Sequence, residues 1–178
     1  MKKFNKILVV SALSTSFLAM TAYATNPSTS YSVNVNANFI TTISMSTTTA
    51  PSFGLLPAGL TGASSYAMST TGAVTPTGTG AAVLSGTPVA GSVLIKGSAT
   101  QAISISATAG TAGGGVNVTD AQCAYGGGAS SDCFTTPILG AAPGVAGTAL
   151  LVAPTISVPA AQAVGAVTPT LNIVVSYQ

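Results

Sequence analysis

Few side chains in this sequence could do acid–base or nucleophilic chemistry. The 178 residues contain no His, Glu or Arg, and the only acidic side chains are Asp120 and Asp132. General acid–base catalysis needs a titratable pair, and a nucleophile needs a base that activates it. Two isolated aspartates more often cap backbone amides in turns than form a catalytic dyad. We therefore expect no catalytic residues, no small-molecule substrate and no enzymatic activity.

Cys123 and Cys133 are the only thiols. A zinc or iron site needs more ligands than two thiols without a neighbouring His or Glu, and the sequence has no C-x-x-C motif. In an exported chain the pair is expected to form a disulfide. Closing so short a loop contributes up to about 3 kcal/mol in the chain-entropy estimate. The sequence predicts a structural disulfide, with no metal and no cofactor.

The first residues have the pattern of a secretory signal peptide. Three of the four lysines stand in the first six positions, an apolar run follows, and residues 22–24 read Ala-Tyr-Ala. This order of a basic start, a short apolar stretch and small residues is typical of a cleaved signal. We expect residues 1–24 to be removed during export.

Without that segment, Lys96, Asp120 and Asp132 are the only charged side chains. Binding to nucleic acid depends on many cationic contacts to phosphate, so we expect none. Charge repulsion, which keeps most secreted monomers dispersed, is also missing. This favours a subunit of a polymer, while a monomer kept soluble by Ser, Thr and Asn is the alternative.

A stretch near the N-terminus alternates between apolar and polar residues, and it is the main basis for the predicted organisation of the chain. Apolar side chains occupy every second position of residues 31–39, and the pattern continues into residues 40–45; the first five apolar members are Tyr31, Val33, Val35, Ala37 and Phe39. A period of two predicts a strand with one apolar face. At about 3.3 Å per residue, residues 31–45 would reach about 50 Å, far longer than a usual strand. We expect the first part to be donated to a neighbouring copy and the second part to open the domain's own sheet.

The remaining chain predicts an all-β domain over residues 41–178, preceded by an extension over residues 25–40. Glycine and proline punctuate short segments rich in Val, Ile, Thr and Ser, and no helical period is sustained. Phe53 and Leu55 are expected to point inward, with Gly54 allowing a bulge or a close backbone approach. The internal strands predicted are 64–68, 81–84, 92–97, 102–107, 116–118, and a pair at 148–152 and 155–158 around Pro154. The final strand carries four alternating apolar residues, Leu171, Ile173, Val175 and Tyr177.

These terminal strands resemble those of bacterial fimbrial subunits assembled by the chaperone–usher route. Such subunits carry a penultimate aromatic residue and a glycine fourteen places from the end. Here Tyr177 is penultimate, and Gly165 is the fourteenth residue from the end.

The chain also resembles a family of secreted bacterial β-sandwich domains of unknown function. That family has an aromatic–glycine pair after the first strand, here Phe53-Gly54. Its closing pattern corresponds to residues 151–159, followed by Gly165 and the strand that ends at Tyr177.

The fimbrial resemblance implies an incomplete immunoglobulin-like β-sandwich. One strand is missing in such subunits, and the N-terminal extension of the next subunit fills the apolar groove that this leaves. It implies that Gly165 and the C-terminal strand contact the groove occupant or the chaperone. The implied partners are further copies of the chain, a periplasmic chaperone and an outer-membrane usher, and the implied location is a fimbria on the cell surface, serving adhesion or biofilm formation.

Two other functions remain open from the sequence. The alternating N-terminal stretch could pair within its own chain, giving a self-complete secreted monomer. The protein could also be an adhesin that binds sugar through its loops, with Tyr66 or Tyr125 as stacking residues, although Trp, His, Arg and Glu are absent.

Overall fold

The computed structural model describes residues 39–178, which form an all-β sandwich. The predicted signal peptide and residues 31–38 lie outside this range, so four of the five predicted donor residues do too. Within the range no residue lies in a helix, and thus no helix there is long and apolar enough to cross a membrane. The ten strands are β1 (Ser44–Thr49), β2 (Ser64–Met68), β3 (Val74–Thr77), β4 (Gly91–Lys96), β5 (Ile103–Ala109), β6 (Asn117–Tyr125), β7 (Ser131–Asp132), β8 (Ile138–Gly140), β9 (Thr148–Val158) and β10 (Leu171–Tyr177).

The strands form two antiparallel sheets of unequal size. The larger has seven strands, in which β1, β4, β9, β2 and β3 follow in order and β6 joins β9 to β7. The smaller has three strands in the order β10, β5, β8. The predicted strands 64–68, 92–97 and 102–107 correspond to β2, β4 and β5.

Strand β9 is paired along both of its edges. On one edge β6 pairs with residues 150–157. On the other, β4 pairs with residues 148–152 and β2 with residues 155–158, so the sheet forks into two arms. Eleven residues long, β9 carries the hydrogen bonds that join these arms.

Pro154 lies inside β9, and the predicted break into two strands at this residue is wrong. Pro154 faces the gap between β4 and β2 on one side and pairs with Ala121 of β6 on the other. The C=O of Ala121 accepts from the N–H of Cys133 at 3.1 Å, on the β7 side of β6. Because a residue's N–H and C=O share one edge of a strand, Ala121 and Pro154 form a non-hydrogen-bonded pair. The N–H that proline lacks would therefore have had no ladder partner.

Two buried clusters form the core. The first lies between the sheets, and its large members are Ile95, Ile103, Ile105 and Leu150. The second lies on the far part of the larger sheet around Tyr66, Val118, Ile156 and Val158. Side chains from loops, including Phe53 and Leu56, cover the second cluster.

The segment after β1 shows how one glycine alters an alternating pattern. Phe53 packs inward as expected, but Leu55 is 59% exposed and Leu56 packs inward instead. Gly54 adopts a φ of 74°, and a Cβ there would lie 2.7 Å from the carbonyl oxygen of Ser85. The close approach is therefore confirmed. The left-handed residue breaks the period of two, which accounts for the exchange of Leu55 and Leu56.

Two further strand predictions are corrected. Residues 81–84 are not a strand; Leu84 N–H donates to the C=O of Leu55 at 2.8 Å in a loop contact. Of the predicted short strand at 116–118, residues 117 and 118 begin the nine-residue β6, and Val116 forms an isolated bridge with Gly113. A register shift between Val118 and Asp120 interrupts the pairing of β6 with β9. Such a bulge hides the period of two that would have revealed the longer strand.

The predicted disulfide between Cys123 and Cys133 is present, and both residues are fully buried. Cys123 lies in β6 and Cys133 directly follows β7, so the bond closes a hairpin. The backbone of Cys133 joins the two sheets: its N–H donates to Ala121 of β6, and its C=O accepts from Ala107 of β5 at 2.7 Å. The disulfide therefore holds a segment that contacts both layers.

We expect the Cys123→Ala/Cys133→Ala double variant to lose about 2–3 kcal/mol in free energy of unfolding, because the unfolded chain is no longer cross-linked. Urea unfolding followed by circular dichroism measures the change. Wild type reduced with dithiothreitol is the control and should lose a similar amount. An unchanged midpoint in both would contradict a stabilising role for the bond.

Candidate functional site

A long apolar groove of about 1070 Å³ runs between the sheets on one side of the sandwich. Its floor is the inner face of the larger sheet, where β1, β4, β6 and β9 contribute side chains such as Met45, Val93, Val118 and Ile156. From the smaller sheet only β10 contributes, and residues 50–58 and 162–170 complete the walls. No charged side chain of the described residues lines it.

Strand β10 borders this groove with an unpaired edge. It pairs with β5 along Leu171 to Tyr177, and among the described strands it has no neighbour on the other side. The N–H of Thr170 donates to the C=O of Thr111 at 2.9 Å, and the N–H of Gln178 donates to the C=O of Ala102 at 3.1 Å. Both acceptors flank β5, so these N–H groups point to the β5 side. Backbone groups alternate between the two edges of a strand. The N–H and C=O groups of the four odd-numbered residues from 171 to 177 therefore point to the open edge.

The side chains of the same four residues face inward. Leu171 and Ile173 line the groove, while Val175 and Tyr177 pack against the buried cluster between the sheets. Each of the four therefore presents a free backbone pair at the edge and an apolar side chain to the interior. This arrangement could accept one more strand, which would hydrogen bond to β10 and place its own apolar face in the groove.

The other edges of the described sheets are shorter or interrupted. Strand β7 has two residues and β8 has three. Strand β3 contains Pro76, and the pairing of β1 shifts register between Thr47 and Thr49. Short strands, proline and bulges are the usual means of blocking edge-to-edge pairing. The seven residues of β10 contain no proline, charge or bulge.

The structure brings some of the predicted site residues together. Gly165, Leu171 and Ile173, which the sequence singled out, all line the groove. Phe39 is the one predicted donor residue among those described; it lies outside the strands and its side chain is 91% exposed. Residues 31–38, which complete the predicted donor strand, are outside the described range.

Sequence reasoning missed the walls of the groove. Residues 50–58 and 162–170 form them, although neither is a regular strand. The available signal was composition, because 163–167 reads Ala-Val-Gly-Ala-Val between polar residues. An irregular segment of this kind is apolar without being periodic, so it gives no strand prediction.

The aspartates do not face the groove. Asp132 accepts hydrogen bonds from the N–H groups of Phe134 at 2.7 Å and Thr135 at 3.0 Å, which confirms its predicted role as a turn cap. Asp120 instead lies in β6, where its carboxylate accepts from the N–H of Ala121 at 2.7 Å.

The two tyrosines considered for sugar binding differ in exposure. Tyr66 is fully buried in the second core cluster, so the expectation that it could stack on a sugar is wrong. Tyr125 is half-buried beside a smaller cavity of about 530 Å³. Its hydroxyl donates to the C=O of Ala141 at 3.2 Å.

Comparisons of the chain with protein-family models, with curated proteins and with solved structures gave no match. The protein is therefore classified by its fold and its candidate site. It is a two-sheet β-sandwich with an apolar groove beside an edge strand that is unpaired among the described strands.

We expect the pKa of the Asp132 carboxyl to lie below its ordinary value of 3.8. The largest cause is the hydrogen bond from the Thr135 hydroxyl, followed by the N–H groups of Thr135 and Phe134. These bonds favour the charged form in the folded state. Their contribution to stability is present above the ordinary pKa and is lost as the pH falls through the lowered one. The ¹³C shift of the carboxyl in an NMR titration measures this pKa.

Thr135→Val is the matched variant, because it removes the hydroxyl donor and keeps a side chain of similar shape. Its Asp132 pKa should rise toward the ordinary value. A titration identical to that of wild type would contradict the assignment of the main cause to Thr135.

Proposed function

We propose that this protein is a structural subunit of a bacterial surface fibre that polymerises by donor-strand exchange. Residues 31–39 of one copy would lie in the groove of the next and pair with β10. The observation that carries this proposal is the edge of β10, which is unpaired among the described strands and lies beside an apolar groove whose described lining residues carry no charge. The protein would act through assembly and not as an enzyme.

The sequence of the donor fits the chemistry of the groove. Its apolar members Tyr31, Val33 and Val35 alternate with Ser32 and Asn34. In a strand these sets face opposite sides, so the apolar set can enter the groove while the polar set faces water. The backbone of the donor would meet the free N–H and C=O groups of β10, which is the usual geometry of strand addition.

The lengths also agree. Nine extended residues span about 30 Å, and the seven residues of β10 span about 23 Å. The groove continues beyond Leu171 along residues 162–170, which provides the additional length. Burial of the donor side chains at about 1.5–3 kcal/mol for each large one and backbone bonds at about 1 kcal/mol net each give a gross gain on the order of 10 kcal/mol before the ordering cost.

Chain direction favours a donor from another copy. The Tyr177 hydroxyl donates to the C=O of Thr41 at 2.5 Å, so the backbone that precedes β1 lies beside the C-terminal end of β10. A copy's own residues 31–38 would have to run toward that end, parallel to β10. A neighbouring copy has no such restraint and can pair antiparallel, which is the slightly more stable arrangement.

An open edge beside an apolar groove would aggregate if left uncovered before assembly. This supports the proposal that a periplasmic chaperone covers β10 during export and that an outer-membrane usher delivers the subunit to the cell surface. The buried disulfide fits an oxidising compartment on that route. The near absence of charge also suits a subunit that is held in a polymer.

We expect the Val33→Asp/Val35→Asp variant to lose the detergent-resistant multimers that donor-strand exchange would give, because two carboxylates would be buried in the groove. Gel electrophoresis without boiling and electron microscopy of secreted protein measure the loss. The control is Ser32→Asp/Asn34→Asp, which adds the same charge to the polar face and should still polymerise. Multimers that persist in the first variant would contradict donation by this segment, as would a wild type that is monomeric at every concentration.

A variant of the acceptor tests the other half of the contact. We expect Ile173→Asp to block uptake, because the Ile173 side chain lines the groove. The control is Asn172→Asp on the exposed face of the same strand, which should polymerise.

Mixing the two defective proteins then separates exchange between copies from pairing within one chain. Ile173→Asp keeps a donor and Val33→Asp/Val35→Asp keeps an acceptor, so an equimolar mixture should give heterodimers that grow no further. Pairing within one chain predicts only monomers in the mixture.

A further inference from the structure

The hydroxyl of Tyr177 joins three separate parts of the domain. It donates to the C=O of Thr41, before β1, at 2.5 Å and accepts from the N–H of Ser98, after β4, at 2.6 Å. These partners lie 136 and 79 residues away in the sequence. One side chain at the end of β10 therefore holds both the backbone just before β1 and the turn after β4.

The surroundings of this hydroxyl are closely fitted. Gly97 is buried, and a Cβ there would collide with the Tyr177 hydroxyl and approach Pro143 to 3.1 Å. The Gly97 N–H donates to the C=O of Gly144 at 3.0 Å, and the C=O of Ser98 accepts from the N–H of Gly144 at 3.0 Å. The N–H of Ser98 then has the tyrosine hydroxyl as its acceptor, so the hydroxyl completes the hydrogen bonding of a buried turn.

Tyr177 also belongs to the acceptor edge, because its own N–H and C=O point away from β5. Because Tyr177 bonds to Thr41 and also lies on the edge that would accept a strand, we infer that it is a positioning residue. In a subunit that has accepted a strand on β10, it sets the direction in which that subunit's own donor segment leaves the domain. This inference rests on the proposed function. It adds that the geometry between successive subunits is fixed by one hydroxyl, whereas uptake of the strand depends on the groove.

The expected effect follows from the neighbouring contacts. Ile43 packs against the buried cluster between the sheets and stays anchored without the tyrosine hydroxyl. Loss of the bond to Thr41 then frees residues 41 and 42, which span at most about 7 Å when fully extended. The donor segment would leave the domain over a range of directions, and the fibre would bend more easily.

The test compares filaments of the full chain by electron microscopy, with yield and persistence length measured for each variant. Tyr177→Phe keeps the ring and removes the hydroxyl, and Gly97→Ala displaces the hydroxyl while keeping the tyrosine. Tyr125→Phe is the matched control, because it removes a hydroxyl that also donates to a backbone carbonyl but lies away from Thr41. We expect a shorter persistence length and a broader subunit spacing in the first two variants, and wild-type values of both in Tyr125→Phe.

The outcomes separate the two proposals. A wild type that forms no filaments overturns the proposed function itself. Filaments of Tyr177→Phe and Gly97→Ala that are as stiff as wild type overturn the positioning role alone. Folded Tyr177→Phe protein that forms no filaments also overturns it, because the hydroxyl would then be needed for uptake. If Tyr177→Phe fails to fold, as judged by circular dichroism, Gly97→Ala decides between stiff and flexible filaments.

Discussion

The unequal width of the two sheets is the constraint on which this structure depends. Seven strands face three, so the smaller sheet covers only part of the apolar inner face of the larger one. Loop side chains such as Phe53 and Leu56 cover one region that it leaves. They do not fill the space between β1 and β10, which remains open as the groove, with residues 50–58 as one of its walls. Apolar surface of this extent normally marks a binding site, and its position next to a backbone edge that is open among the described strands supports the proposal that an extended chain is the ligand.

So wide a sheet needs one strand that holds its arms together, and β9 does this by pairing along both edges. Pro154 is compatible with that role because the fork between β4 and β2 leaves no donor or acceptor opposite it. The smaller sheet is attached where the backbone of Cys133 bonds to both layers, and the disulfide keeps that residue in place. The bond from Ala107 to Cys133 lies on the edge of β5 that also pairs with β8, and β10 occupies the opposite edge of β5.

The regular part of the fold could be predicted from sequence. Strands β5 and β10 show a period of two that no bulge interrupts, while β2 and β4 were predicted as short segments between glycines and prolines. A period of two gives a wrong prediction where one residue shifts the alternation of inward and outward side chains. Gly54 leaves Leu56 facing inward in place of Leu55, and the bulge before Asp120 conceals most of β6. The prediction from sequence also failed at Pro154, since the effect of a proline depends on what lies opposite it in space. Gly165, Leu171 and Ile173 were identified through a resemblance, but the groove that unites them follows from which strands have neighbours, and no local pattern contains that.

The features that block strand pairing at the sheet edges other than β10 are the most relevant to function. Pro76 in β3, the bulge in β1 and the small size of β7 and β8 all reduce the chance of pairing with another chain. Charge does not supply this protection, since Lys96, Asp120 and Asp132 are the only charged residues beyond the first six. Protection is thus achieved by backbone geometry at four edges and is missing at the fifth, where the strand is longest and an apolar groove adjoins it. If the protein simply tolerated aggregation, all five edge strands would be equally open to pairing with another chain. The difference between β10 and the rest supports selection for one defined strand partner, and it makes the open edge the part of the molecule through which assembly would proceed.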